Sequence, residues 1–114
     1  ADHLTQERHR LLMLMQHSPD RIYFKDRECR FVLVSPSLLT NFGKTRMDEV
    51  IGKSDFDIFT KEHAQPAYDD EQEVMRTGIP LINKEEKETW PDGRVTWASS
   101  TKVPFRDPQG NIIG

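Results

Sequence analysis

The sequence predicts an antiparallel α+β domain with its helices inserted between two groups of strands. Hairpin signals stand at both ends of the chain. Asp26-Arg27-Glu28 separates the β-type runs Ile22-Tyr23-Phe24 and Phe31-Val32-Leu33-Val34, and Pro91-Asp92-Gly93-Arg94 separates Leu81 to Trp90 from Val95 to Phe105. The intervening segments carry helical signals that stop at Gly43, Gly52 and Gly78. The third observation is size: 114 residues, 35% hydrophobic and 31% charged, suit one domain with a modest core or a small internal pocket.

Residues 4–17 form an amphipathic pattern, with Leu4, Leu11, Leu12 and Met15 on one stripe. Pro19 and Asp20 end it. After the first hairpin, Ser35-Pro36 opens a helical stretch through Phe42. Arg46 to Ile51 and Asp55 to Phe59 read as further short turns. Thr60 is an N-cap candidate for a longer helix, although Pro66 places its expected start near His63 or Gln65. Val74 and Met75 are its inner-face candidates, and Asp69, Asp70, Glu71 and Glu73 read as a solvated face. The turn Asp107-Pro108-Gln109-Gly110 leads into a final strand at Asn111-Ile112-Ile113, expected to be incomplete at Gly114. No repeat or flexible linker intervenes, so residues 1–19 are expected to be a helical linker and residues 20–114 the domain.

A net charge of −3 argues against a surface built for nucleic acid. The apolar run Leu11 to Met15 is too short to insert in a bilayer, and no signal-peptide pattern precedes it. The single cysteine, Cys29, fits a reducing cytoplasm, while membrane attachment of a longer protein stays open. Glycine-rich phosphate loops, Gly-x-Ser-x-Gly elbows and Ser/His/Asp sets are all missing, so no catalytic residue is expected. His3, His9 and His17 lack the i, i+4 spacing that chelates a metal on one helix face, so no metal is expected either.

Several motifs then occur in a telling order: Ile22 to Asp26 with Arg30-Phe31, Phe42-Gly43, Val50-Ile51-Gly52-Lys53, Asp55 to Phe59, Glu62-His63-Ala64, Thr77-Gly78, Asp92-Gly93, Trp97 and Thr101 to Pro104. Together, across residues 20–114, they resemble PAS domains of bacterial sensor kinases. The resemblance implies a five-stranded antiparallel sheet with short helices and one longer helix inserted mid-sheet. It also implies a sensory module acting in cis on a C-terminal effector, most often a histidine kinase, otherwise a diguanylate cyclase or transcription regulator. The competing expectation is a ligand-free dimerisation spacer. Two departures stand out: Ser35 replaces a frequent Asn, which implies a weaker helix-start contact, and the Asp-Ile-Thr link to an effector is missing.

The resemblance also bears on cofactors. In flavin-binding relatives a Cys-Arg-Phe motif follows the Ile-Gly segment, where this chain has Asp55; Cys29-Arg30-Phe31 lies in the first hairpin instead, where Cys29 is expected to be half-buried. Heme-binding relatives carry a histidine three residues before a tyrosine, and here Gln65 precedes Tyr68, with His63 expected to be exposed or capping. Flavin and heme are therefore not expected. By the same likeness Ala98, Ser100 and Lys102 face the helices, Trp97 faces out, and Glu86 lies inward opposite Ser100. The implied pocket holds Tyr23, Lys25, Leu38, Val50, Phe59, Tyr68, Glu86, Ser100 and Lys102. Either a small polar or anionic metabolite is held by the lysines, or a Glu86–Lys102 pair closes the site by itself. The outer strip of Val95, Trp97 and Val103 needs a cover. The 4–17 helix is expected to supply it, folded back on the sheet or across a homodimer axis, with Leu11, Leu12, Met15, Val95 and Trp97 in contact.

Overall fold

The structure, a computed structural model, describes residues 2–114. Helix α1 spans Asp2–His17 and buries none of its residues; its main neighbour is α2. Leu4, Leu11, Leu12 and Leu14 are exposed, so α1 is not folded back on the sheet. Among the described residues, nothing covers Leu4, Leu11 and Leu12 of its apolar stripe.

Strands β1 (Tyr23–Lys25) and β2 (Phe31–Val34) pair antiparallel, with Tyr23 opposite Val34. Asp26 shapes their turn, its carboxylate accepting from the amides of Glu28 and Arg30 at 3.0 and 2.9 Å. This turn turns Cys29 to a φ of 61° and buries it, where half-burial was expected. Helix α2 (Pro36–Asn41) starts on Ser35. The helix-start contact is long, as expected, with Leu38 N donating to Ser35 Oγ at 3.4 Å; the same hydroxyl accepts from Ile22 N at 2.9 Å and donates to Asp20 O at 3.1 Å, tying the helix start to the segment before β1. A short 3₁₀ turn, Met47–Glu49, and helix α3 (Asp55–Ile58) follow.

Helix α4 spans Lys61–Thr77, so it begins before the expected His63. Proline is excluded from a helix interior by its missing amide, and Pro66 forfeits one bond near the start while the remaining turns carry the helix. It closes on Gly78 at φ 72°, where a side chain would also meet the Arg106 guanidinium at 3.0 Å.

Strands β3 (Leu81–Thr89) and β4 (Val95–Lys102) form the second hairpin. Alternate residues of β4 turn inward: Thr96, Ala98, Ser100 and Lys102 are covered while Val95, Trp97 and Thr101 are exposed. Glu86 faces inward too, but opposite Ala98, with Lys84 opposite Ser100. An extra residue in β3 near Asn83, at φ 51°, sets this register. The expected five-stranded sheet is replaced, among the described residues, by two separate two-stranded sheets. Pro104 cannot donate to a ladder, and beyond it only Arg106 and Ile112 pair as a bridge.

The hairpins are joined through an apolar core of Phe31, Val34, Leu38, Leu39, Phe42, Val50, Ile58, Phe59 and Trp90. Its rings meet edge to face, Phe31 with Phe42 at 5.5 Å and Phe42 with Phe59 at 5.8 Å.

Candidate functional site

A cleft of about 1100 Å³ lies between the two hairpins and helices α3 and α4. Its floor is a chain of alternating charges, each delivered by a different element. β1 turns Lys25 inward, and its ammonium reaches Asp55 Oδ2 of α3 at 2.8 Å and Glu71 Oε1 of α4 at 2.7 Å. Lys102, at the end of β4, donates to the other Glu71 oxygen at 2.8 Å and lies 3.4 Å from Glu86 Oε1 of β3. Tyr23 adds its hydroxyl to Glu71 Oε2 at 3.3 Å. Glu71 is thus the keystone, bonded to both hairpins, which share no strand pairing.

Burial and charge act on these groups in opposite senses. Burial alone would push the Glu71 carboxyl up, but the ammonium groups of Lys25 and Lys102 hold it below the usual carboxylate range. Burial likewise opposes the charge of Lys25, yet Asp55 and Glu71 raise its affinity for the proton above that of a free lysine. Burial and the Glu71 charge together push the Tyr23 hydroxyl well above the usual tyrosine range, so it serves as a donor. Burial, then Glu71, pushes the Cys29 thiol up to about 11, and Gln72 donates to its Sγ at 3.3 Å.

Glu86 differs from the others. Its residue surface is only 9% exposed, and among the described residues it accepts no hydrogen bond. The expected Glu86–Lys102 pair is present as an ion pair at 3.4 Å without hydrogen-bond geometry, because the Lys102 ammonium donates to Glu71 at 2.8 Å. His63 Nδ1 stands 3.9 Å from Glu86 Oε2, beyond hydrogen-bond reach, and 3.0 Å from the carbonyl of Lys87.

Of the residues singled out in the sequence, Tyr23, Lys25, Leu38, Phe59, Glu86, Ser100 and Lys102 line this cleft. Val50 and Tyr68 do not: Val50 is sealed in the core, and Tyr68 packs on Phe56 outside the cleft. Glu71 was read as solvated and is only 8% exposed. Its spacing from Ala67 and Val74 carried the signal, because those three positions share one helix stripe. Asp55 and His63 were also missed as inward residues; both are buried, His63 against Phe59 with ring centres 4.3 Å apart. Asp55 is committed to Lys25, and Gln65 donates to Asp69 on α4 at 3.0 Å. Leu11, Leu12, Val95 and Trp97 are all exposed within the single chain.

Two hairpins enclose a cleft with the helices inserted between them. Residues 15–114 match a family model described as PAS fold. The chain is a PAS domain. No curated protein matches it. Among solved structures, the domain is similar to VqmA bound to DPO, with 27% identity and a TM-score of 0.79 over 92% of this chain and 52% of that one. A VqmA dimer from Vibrio cholerae, described among LuxR-type receptors that bind DNA, matches equally well over 47% of its chain. The domain therefore spans about half the length of the VqmA chains. It also resembles the PAS domain of BvgS from Bordetella pertussis, at 22% identity and TM-score 0.73 over 95% of this chain and 80% of that one. A domain of a sensor histidine kinase/response regulator from Geobacter sulfurreducens shares 20% identity and TM-score 0.68, over 94% and 90% of the two chains. At these lower identities the likeness is one of fold.

Proposed function

We propose that this PAS domain is the ligand-sensing module of a bacterial signalling protein, catalysing nothing itself and controlling an attached effector through dimer geometry. The observation that carries the reading is the cleft, large enough for a small metabolite and floored by buried charges that tie β1, α3, α4 and the second hairpin together. A ligand that alters this floor alters the relation of the two hairpins, and the effector reads the difference as a population shift. The likeness to VqmA bound to DPO supports a small-molecule signal.

The effector follows as either of two kinds. The motif order resembles sensor histidine kinases, which remains the first reading. A DNA-binding regulator is favoured by one observation, the VqmA match at 27% identity; nucleic-acid contact would then belong to the effector and not to this acidic domain. Flavin and heme are left out of the proposal because Asp55 and Gln65 hold the corresponding positions. A cytoplasmic site is proposed as well; among the described residues, no helix is long and apolar enough to cross a membrane.

The proposed homodimer pairs the α1 stripe, the exposed Leu11 and Leu12 with the half-buried Met15, with Val95 and Trp97 of the partner. Differential scanning fluorimetry against a metabolite panel tests the sensing role, with Ser100→Phe, which fills the cleft, as control. A hit that raises Tm in the parent and not in Ser100→Phe supports it; a panel without hits, together with no small molecule released on denaturation, leaves the spacer reading in its place.

A further inference from the structure

The chemistry of the cleft floor narrows what it can bind, an inference that rests on the sensing role proposed above. Both ammonium groups are already engaged. Lys25 bonds Asp55 and Glu71, and Lys102 bonds Glu71. Lys25 also stands 4.8 Å from the ring centres of both Tyr23 and Phe31, so aromatic faces cover its remaining side. The carboxylates of Asp55, Glu71 and Glu86 outnumber the ammonium groups of Lys25 and Lys102. An anion entering the cleft must break one of these bonds and face the surplus negative charge. A donor meets a different situation. Glu86 is about nine-tenths buried and lines the cleft; its Oε1 accepts no hydrogen bond, and its one close cation, Lys102 Nζ at 3.4 Å, is shared with Glu71. A buried carboxylate that shares its only ammonium group and lacks a hydrogen bond is under-satisfied, and a bound donor offsets that cost.

We infer that the cleft takes a small molecule presenting an N–H donor or cationic nitrogen to Glu86, an amine, amidine or N–H heterocycle, and not an anionic metabolite. Ala98, directly across the hairpin from Glu86, also lines the cleft and carries only a methyl group. The aromatic wall of Phe59 and His63 stands beside the carboxylate.

Benzamidine, benzamide and benzoate share one shape and differ in charge, so they serve as probes in calorimetric titration of the purified protein. Benzamidine is expected to bind most tightly, benzamide more weakly, and benzoate not at all. Glu86→Gln is expected to weaken benzamidine by about tenfold or more, the usual worth of a hydrogen bond to a charged group. Glu85→Gln, on the exposed neighbour of the same strand, is expected to leave binding unchanged. Amide shifts at Ala98 and Ser100 on adding benzamidine to the parent protein locate the probe without any variant, should Glu86→Gln fail to fold. Benzoate binding as tightly as benzamidine, shifts elsewhere than the cleft, or undiminished binding in a folded Glu86→Gln would overturn the inference while leaving a sensing role intact. Silence from all three probes, with no hit in the metabolite panel, overturns both.

Discussion

The interior of this PAS domain has two halves of opposite chemistry. On one side Phe31, Phe42, Phe59 and Trp90 meet as rings in succession. On the other, within the same layer, Lys25, Asp55, Glu71, Glu86 and Lys102 meet as charges, each under about 12% exposed at the side chain. The apolar half is held by many small, non-directional contacts, and it tolerates exchange of one hydrocarbon for another of like volume. The charged half is held by a few directional bonds converging on Glu71, and it tolerates almost no single change. The hairpins are cemented by the first half and kept in a particular relation by the second. A sensor needs both properties, a body that stays folded and a joint that can be rearranged.

The sharpest break would come from deleting the centre of each half. Phe42→Ala is expected to cost about 3–5 kcal/mol through the cavity it leaves, and Glu71→Ala about 3 kcal/mol because it removes the carboxylate shared by two buried ammonium groups, leaving Lys25 with Asp55 alone and Lys102 with Glu86 alone. Urea unfolding measures both. The halves should separate under a second substitution. Lys25→Met alone is expected to cost about 3 kcal/mol, and adding Asp55→Asn to recover about 1–2 kcal/mol of it, since the stranded carboxylate is then neutral. Paired truncations in the apolar half recover nothing, and strictly additive values in the charged half would erase the contrast.

Acid provides a milder test. Folding lowers the pKa of Glu71, so the folded state binds its proton more weakly than the unfolded chain does. Its contribution is therefore present above the ordinary carboxylate range and lost as pH falls through the lower folded value. Lys25 has the opposite sign: its raised pKa contributes below the ordinary ammonium range and is lost as pH rises through the folded value. Stability measured against pH is expected to fall at both ends, and Glu71→Gln to flatten the acid limb. The smallest effect on stability is expected on the outer face. Trp97→Ser, at a residue 66% exposed, should change unfolding by no more than about 0.5 kcal/mol. The same substitution should nevertheless lower the dimer fraction in light scattering, and a monomeric parent protein at high concentration would contradict the proposed pairing.

Much of this was legible in the residues because it is local. Helix stops at glycines, the Asp92-Gly93 turn and the alternation of β4 depend on backbone preferences and short-range pattern, and they hold in the structure, as does the outward Trp97 that the resemblance implied. Burial of Ser100 and Lys102 on one strand face follows from the same period. What failed was long-range. Glu71 sits among Asp69, Asp70 and Glu73, and composition assigns such a run to solvent; only the meeting of α4 with β1 and β4 supplies two ammonium groups that make its burial tolerable. The register of Glu86 against Ala98 depended on an extra residue at Asn83, and the start of α4 on a proline tolerated near its first turns.

The sequence by itself therefore determined the α+β order of elements and the alternation of its strands, because those follow from periodicity and turn chemistry, while the resemblance of its motifs to PAS domains implied which strand face turns inward. Tertiary structure decided the charge of the site. Whether a buried lysine is free to hold an anion depends on which carboxylates reach it across the fold, and here Asp55 and Glu71 arrive first. The unsatisfied group is the acid Glu86.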